Sequence, residues 1–553
     1  MTQRFPALFL ILLASLFILN LVQSSFTELI YDEAYYWYYS QNLDWGYFDH
    51  PPMVAFLIKI SSFLFEGELG VRFMSCILSI GTYLFVWLSI DNPKKKDYVV
   101  IFFLLLFSST LLNAYGFLTL PDTPLLFFTA LFLWLYKLFL DKPSYLLALG
   151  IGIVMAALMY SKYHAVLVIL FVLLSNLKLF REPRAWFAVA VALLCYVPHF
   201  IWLFEHDFVS IKYHIYERPN QAYSFTKFTL GYFVNLVAIF GLLFFWVYQA
   251  LVKTKTTDLF VKALKYLSYG VILFFFLSSF NRRVQTQWII IISIPMAILT
   301  FNYILENANS RKWVYRLGLA SFVIMLYARA WLVYQPLFPL SFETHGNTVW
   351  VNELKEKSEG VPIVFENSYR RPSMYTFYSG KPSYALNNHM YRKSQYSIDD
   401  SEEKVRHKKI VYVTKYANSG DIQYLHQDKK TIYYGTFMND FESFRKLQCI
   451  VDSTKSPNVY SLKVYNPYDF EVPLSELSFS VAFSNNYKQV KDLQPIEVEA
   501  FNKDKNVILS KDTLNFRFTL PKSKFENPGY FRVGISENGL LPGLNGIPTK
   551  LEP

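Results

Sequence analysis

Cysteine is scarce: the 553 residues contain three, Cys76, Cys195 and Cys449, with no metal-ligand spacing between them, and the first two fall inside apolar runs. This excludes a disulfide framework and a zinc site. Charge is scarce too, at 17% of residues, where soluble domains carry roughly a quarter. The surplus of +11 comes from short Lys and Arg clusters between apolar segments. No long basic run is interleaved with aromatics, which argues against a nucleic-acid partner. The chain also lacks a glycine-rich phosphate loop, a helical-repeat period and a low-complexity linker.

What the chain has in abundance is apolar and aromatic residues, 53% and 19% respectively, with a mean hydropathy of +0.23. A bilayer is the implied solvent. Runs of roughly 17–25 apolar residues, the length that crosses about 30 Å of hydrocarbon, occur near 5–24, 69–90, 98–117, 123–140, 145–160, 163–180, 185–204, 229–251, 264–280, 288–304 and 314–335. The expectation is therefore a polytopic α-helical membrane protein with about eleven spans, within about two. Ser161-Lys-Tyr-His164 divides the least regular pair.

Basic residues occupy every second connection: Lys94-Lys95-Lys96, Lys137 with Lys142, Lys178 with Arg181 and Arg184, Lys253 with Lys255, and Arg311-Lys312. Those connections and the N-terminus are expected to be cytoplasmic. The other connections, among them a large first loop over 25–68, then face outward, as does the tail. The first apolar run reads as a retained anchor, because many spans follow it.

The expected division is a membrane domain over 1–335, an extracytoplasmic α/β domain over 336–445 and a β-rich module over 446–553. In the second, helical spacing over 347–358 and 368–378 is mixed with strand-like runs at 361–365, 410–414 and 431–434. In the third, residues 478–483, 496–500, 515–520 and 529–533 alternate apolar and polar as antiparallel strands do.

The chemistry concentrates in residues 31–52, where four carboxylates, one histidine and nine aromatic rings follow the first run. An aromatic belt at the interface accounts for Tyr and Trp, but not for Asp32, Glu33, Asp49 and His50 together. Ionisable groups at a membrane edge are functional candidates by default. Asp32 also suits a helix cap, and Glu33 suits the first helical turn. Asp122 stands in a Pro-Asp-Thr-Pro turn at another outward span end. Lys162, Arg72, Arg218, Arg282 and Arg283 are outward cations that could meet an anion. A carboxylate pair among several cations suits chemistry that deprotonates an acceptor while a phosphate departs.

These residues resemble a known family. Asp32-Glu33-Ala-Tyr35-Tyr, Gly46-Tyr-Phe-Asp-His-Pro-Pro-Met53, Pro121-Asp-Thr-Pro-Leu-Leu-Phe-Phe128 and Ser161-Lys-Tyr163 look like the bacterial branch of the protein O-mannosyltransferase superfamily, which includes aminoarabinose transferases acting on lipid A. The likeness covers about 1–335. Tyr369-Arg-Arg-Pro-Ser-Met-Tyr-Thr-Phe-Tyr378 and Arg392-Lys-Ser-Gln-Tyr396 extend it into the tail. The resemblance implies the multispanning GT-C fold and an inverting transfer of a sugar from a polyprenyl phosphate to a glycolipid such as lipid A, a polysaccharide or a protein hydroxyl. It further implies Asp32 as base or member of a catalytic acid pair, with neighbouring Glu33, and Asp122 as second carboxylate. Lys162 and Arg218 would hold the lipid phosphate.

Where aminoarabinose transferases carry a lysine before the paired prolines, this chain has Asp49-His50, so Asp49, His50 and Tyr35 are expected to shape substrate choice. No cofactor is expected. A divalent cation bridging Asp32, Asp49 and the phosphate is the weaker alternative, since hard cations favour oxygen ligands and cationic side chains are already present. The implied location is a bacterial inner membrane. A transporter or flippase for a lipid-linked or anionic substrate is the competing class, but charges here gather at one interface rather than at the midplane where transporters bind. A scaffold or sensor working through its tail is the third.

Overall fold

The structure, a computed structural model, describes residues 5–218, 221–427, 430–454, 458–502 and 505–551. The chain divides into two compact units: residues 1–210 with 223–345, and residues 211–222 with 346–553. The short segment 211–222 thus clusters with the C-terminal unit, and the α/β and β-rich parts of the tail fall within one unit.

The first unit is helical. Among the described residues eight helices are long and apolar enough to cross a bilayer. They are α1 (Ala7–Phe26), α4 (Gly67–Leu88), α7 (Asp122–Asp141), α10 (Pro183–Glu205), and the later helices Thr226–Lys253, Leu259–Ser278, Thr286–Glu306 and Ala308–Val333. Between them lie α2 (Tyr31–Gln41), α3 (Met53–Leu64), α5 (Val99–Phe107), α6 (Thr110–Ala114), α8 (Tyr145–Ser161) and α9 (Ala165–Ser175). Helix Thr226–Lys253 is interrupted at Gly241, whose φ of 51° a side-chain-bearing residue rarely adopts.

The expected span over 98–117 is instead broken into α5 and α6. Ser108 ends α5, with its hydroxyl donating to the Leu104 carbonyl at 2.6 Å, while the Asn113 amide donates to the Phe107 carbonyl at 3.1 Å. Ser109 donates across to the Ile239 carbonyl at 3.2 Å. Broken backbone survives at membrane depth when polar side chains satisfy the freed groups in this way. Residues 145–175 likewise form two shorter helices, parted at Lys162. One apolar core joins α1, α4, α5, α7, α9 and the helices of 226–306.

The charged ends of this unit are distinct. Lys137 reaches Asp91 at 2.5 Å, and both line a cavity of about 1350 Å³ with Lys253, Lys255 and Glu306. Asp122 begins the helix that carries Lys137. At 1.5 Å per residue, the fifteen steps from 122 to 137 put these two about 22 Å apart.

The second unit contains a five-stranded sheet ordered β2-β1-β3-β5-β4, from Ile363–Glu366 (β1), Ser383–Leu386 (β2), Lys408–Thr414 (β3), Ile422–Leu425 (β4) and Ile432–Phe441 (β5). β1 is parallel to both neighbours, as its helical connection Arg370–Ser379 allows. Two four-stranded antiparallel sheets follow. One orders Val490–Ile496, Ser478–Ser484, Tyr530–Ser536 and Thr549–Lys550, and the other Glu499–Ala500, Thr513–Thr519, Val459–Tyr465 and Gln448–Ser453. Thr513–Thr519 alternates exposed and buried along its length, and its inward Leu514, Phe516 and Phe518 join the Phe479, Val481 and Phe483 side chains in one core.

Candidate active site

Asp122 opens α7, where the helix dipole favours negative charge. Lys162 stands at the C-terminal cap of α8 with extended backbone. Its ammonium donates to the Asp122 carboxylate at 2.7 Å, and the two side chains are 7% and 5% exposed. Residues forty positions apart, each flagged separately by the sequence, thus form one buried pair at an end of the bundle.

Glu33 and Arg72 form a second pair with a different construction. One Glu33 oxygen accepts from Arg72 Nε at 2.7 Å and from the Thr119 amide at 2.8 Å; the other accepts from Arg72 Nη2 at 2.5 Å and the Ile30 amide at 3.2 Å. Arg72 gives its remaining hydrogens to the Ser24, Thr27 and Glu28 carbonyls. Both side chains are fully buried. The expectation of Glu33 in chemistry and Arg72 on phosphate meets a geometry in which every guanidinium donor is already used. The pair staples the exit of α1 to α2, α4 and the turn before α7.

Asp32 sits one position before Glu33 in the first turn of α2 and is half-buried. Tyr115, 6% exposed, lies within electrostatic range of both Asp32 and Asp122, so these two carboxylates share a neighbour.

The rest of the first loop folds into an aromatic box. Tyr39 donates to Asp49 at 2.7 Å and stacks on Tyr47, with ring centres 4.2 Å apart and planes 8° apart. Tyr35 packs on Tyr39 at 4.6 Å, and His50 meets Tyr36 edge-on at 5.4 Å. Burial, then the adjacent Asp49 carboxylate, pushes the Tyr39 phenol well above its usual range, so it is a donor at neutral pH. Asp49 is itself 7% exposed.

Helix α10 closes over this loop. Trp202 donates to Asp44 at 2.8 Å, and its ring lies 2.3 Å from where a Cβ on Gly46 would stand, so only glycine fits. His199 Nδ1 lies 2.6 Å from the Trp45 carbonyl, and its Nε2 lies 3.2 Å from the Tyr163 hydroxyl, next to Lys162 in sequence. His199, Trp202, Asp44 and Tyr115 were not singled out from the sequence. A histidine following Pro198 inside an apolar run was the available signal for His199; a tyrosine among forty-one carried none.

Arg218 follows a π-helical turn, Tyr213–Glu217, within the segment that clusters with the C-terminal unit, and its Nη1 lies 3.4 Å from His214 Nδ1. Arg282 is half-buried and Arg283 exposed in the turn after Leu259–Ser278. Among the described residues, no three His, Cys, Asp or Glu side chains group in a way that could hold a metal ion.

Residues 49–202 match the family described as dolichyl-phosphate-mannose-protein mannosyltransferase. The lipid A galacturonosyltransferase RgtD of Rhizobium johnstonii is 25% identical over 294 residues, which span 49% of this chain and 60% of that relative. Crystal structures of ArnT from Cupriavidus metallidurans, apo and bound to undecaprenyl phosphate, superpose with TM-scores of 0.54 and 0.53 at 13% identity. Each match covers 77% of this chain and 97% of that one. The chain is an integral membrane protein with the GT-C fold seen in those structures, and its segment 49–202 is similar to the protein mannosyltransferase family.

Proposed function

We propose that the protein is an inverting glycosyltransferase that moves a sugar from a polyprenyl-phosphate carrier to a hydroxyl of an extracytoplasmic glycolipid. The observation that supports this best is the Asp122–Lys162 pair: a buried ammonium at a membrane edge, aimed by a carboxylate, on the end of the bundle that also carries Asp32. The likeness of this chain to an enzyme named for lipid A and to one captured with undecaprenyl phosphate favours a glycolipid acceptor and a polyprenyl carrier.

In this reading the acceptor hydroxyl attacks the anomeric carbon from the face opposite the phosphate. A new C–O bond forms as the bond from that carbon to the phosphate oxygen breaks. The hydroxyl proton passes to Asp32, and the released electron pair stays on the phosphate, where Lys162 stabilises the added charge. Asp122 directs the Lys162 ammonium. A polyprenyl phosphate is already a good leaving group, so positioning and fixed charge supply most of the rate. Glu33 and Arg72 hold the frame, and the Asp49 and His50 box selects the sugar. The N-terminus lies in the cytoplasm and the C-terminal unit outside, following the basic connections.

The test is Asp32→Asn, which removes charge at nearly constant volume. Transfer from an undecaprenyl-phosphate sugar to lipid A in proteoliposomes is expected to fall about 10²–10⁴-fold, the usual worth of a positioned base. Full activity in a folded Asp32→Asn protein overturns the role of Asp32. Mass spectrometry of envelope glycolipids with and without the protein reads the acceptor, and an unchanged glycolipid profile with altered glycoproteins overturns the glycolipid reading.

A further inference from the structure

The proposed transfer leaves His199 without a role, although this fully buried side chain touches both segments on which the reaction depends. It lies on α10 three positions before Trp202, and the two rings are stacked with planes 9° apart. Residues at that spacing share one face of a helix. Both reach the first loop, Trp202 through the Asp44 carboxylate and His199 through the Trp45 carbonyl.

A carbonyl oxygen only accepts, so the 2.6 Å contact with Trp45 puts the ring hydrogen of His199 on Nδ1. Among the described residues no carboxylate touches the ring, and a second ring hydrogen would leave a buried cation without a counter-charge. Nε2 therefore carries a lone pair, and the Tyr163 hydroxyl 3.2 Å away donates to it. The contact at one nitrogen fixes the tautomer, and the tautomer fixes the direction of the contact at the other.

Tyr163 follows Lys162 in the short turn between α8 and α9. The two adjacent side chains go to different helices: Lys162 to Asp122 of α7 at 2.7 Å, and Tyr163 to His199 of α10. The turn is thus clamped from both sides. Tyr163 also lies within electrostatic range of Asp49 in the first loop. We infer that His199 is a positioning residue: in its Nδ1–H tautomer it holds the Tyr163 hydroxyl, and so fixes the Lys162 turn relative to the first loop while the sugar leaves the phosphate. This rests on the proposed transfer for the roles of Lys162 and Asp49. His199 acts through Tyr163 rather than on the substrate.

The experiment separates the two ring nitrogens. In His199→Asn the side-chain amide replaces Nδ1 and keeps a donor for Trp45, but nothing accepts from Tyr163. In His199→Gln the amide oxygen replaces Nε2 and keeps the acceptor for Tyr163, while the donor to Trp45 is lost. Tyr163→Phe removes the same link from its other end. Transfer is measured in proteoliposomes with lipid A and whichever of undecaprenyl-phosphate mannose, galacturonate and aminoarabinose the parent protein uses, and melting temperature is followed in each variant. His199→Asn and Tyr163→Phe are each expected to lower kcat about 10- to 100-fold at little-changed donor KM, as a misplacement of about 1 Å does. The double variant is expected to be no slower than either, and His199→Gln to stay close to the parent. A loss in His199→Gln as large as in His199→Asn, or full activity in Tyr163→Phe, overturns the inference, because the loop anchor or the bare ring is then what counts. Nitrogen-15 spectra of histidine-labelled protein read the tautomer without any transfer: one ring in the Nδ1–H form, missing from His199→Gln, is expected, and an Nε2–H or doubly protonated ring overturns the inference. A parent protein that transfers from none of the three carriers overturns the proposed reaction, and the inference falls with it.

Discussion

Glu33–Arg72 and Asp122–Lys162 are both carboxylate–cation pairs buried where apolar helices end, yet they are wired differently. Arg72 spends its donors on Glu33 and three backbone carbonyls, and both Glu33 oxygens take a backbone amide as well. The Lys162 ammonium makes one hydrogen bond among the described residues, to Asp122. An ammonium carries three hydrogens, so the second pair retains donors that a phosphate oxygen can accept, whereas the first is saturated by the fold itself. Two pairs of similar chemistry and burial therefore divide into one saturated by the fold and one with donors to spare, which the proposed function reads as a staple and a working cation; the difference lies in what else each partner touches.

The comparison breaks most visibly at Arg72. Arg72→Met leaves Glu33 as an uncompensated buried charge, which costs about 3–5 kcal/mol. Thermal unfolding in detergent is expected to show that loss, and a Glu33→Gln/Arg72→Met variant to regain much of it, since glutamine still accepts an amide hydrogen bond. A single variant as stable as the parent removes the staple.

The same operation on the other pair is expected to read out in rate. Asp122→Asn/Lys162→Met removes both charges together, so no orphan remains and stability stays within about 1.5 kcal/mol of the parent, as volume-conserving exchanges do. Transfer is expected to fall about 10²–10³-fold, the worth of one fixed group at a developing charge. Retained transfer in that double variant makes the two pairs alike and ends the distinction.

How far these roles were legible beforehand differs by residue. Asp122 and Lys162 stood out because charge beside long apolar runs is conspicuous one residue at a time. Glu33 and Arg72 stood out for the same reason, but their mutual saturation did not, because it joins α2 to α4 across thirty-nine positions and adds backbone carbonyls 44 to 48 positions before Arg72. Helical and alternating periods located Asn347–Lys357, Arg370–Ser379, Ser478–Ser484, Thr513–Thr519 and Tyr530–Ser536 closely. The short strands β2 and β4 were not located, although β1 of the same length was. The break in 98–117 was hidden because its composition is that of a continuous span, and only the Ser108 and Asn113 hydrogen bonds reveal the interruption. Residues 211–222 follow a span in sequence but cluster with the other unit, a long-range choice that local pattern does not carry.

A smaller effect sharpens the view that the aromatic box serves the working pair. Gly46→Ala drives a methyl into the Trp202 ring, since a Cβ there meets Trp202 at 2.3 Å. Overpacking of this kind costs about 1–3 kcal/mol. The ring belongs to α10, so the loop is expected to be pushed outward. Limited proteolysis within residues 42–48 is expected to quicken, together with a rise in KM for the donor. Trp202→Ala in the same background vacates the space and is expected to slow cleavage again.

The smallest change tests whether Asp49 belongs to the staple or to the substrate. Tyr39→Phe removes the donor 2.7 Å from Asp49 while leaving the Tyr47 stack in place, so packing is nearly unchanged and one charge-assisted hydrogen bond is lost. Such a loss costs about 1–2 kcal/mol. If Asp49 is held for the sugar, the cost falls on donor binding: KM is expected to rise about five- to tenfold with little change in melting temperature, because a reoriented Asp49 still contacts water in the empty site. If Asp49 is a structural acceptor like Glu33, the same cost lowers the melting temperature and leaves KM alone. Measuring both quantities on one variant assigns the box to one pair or the other.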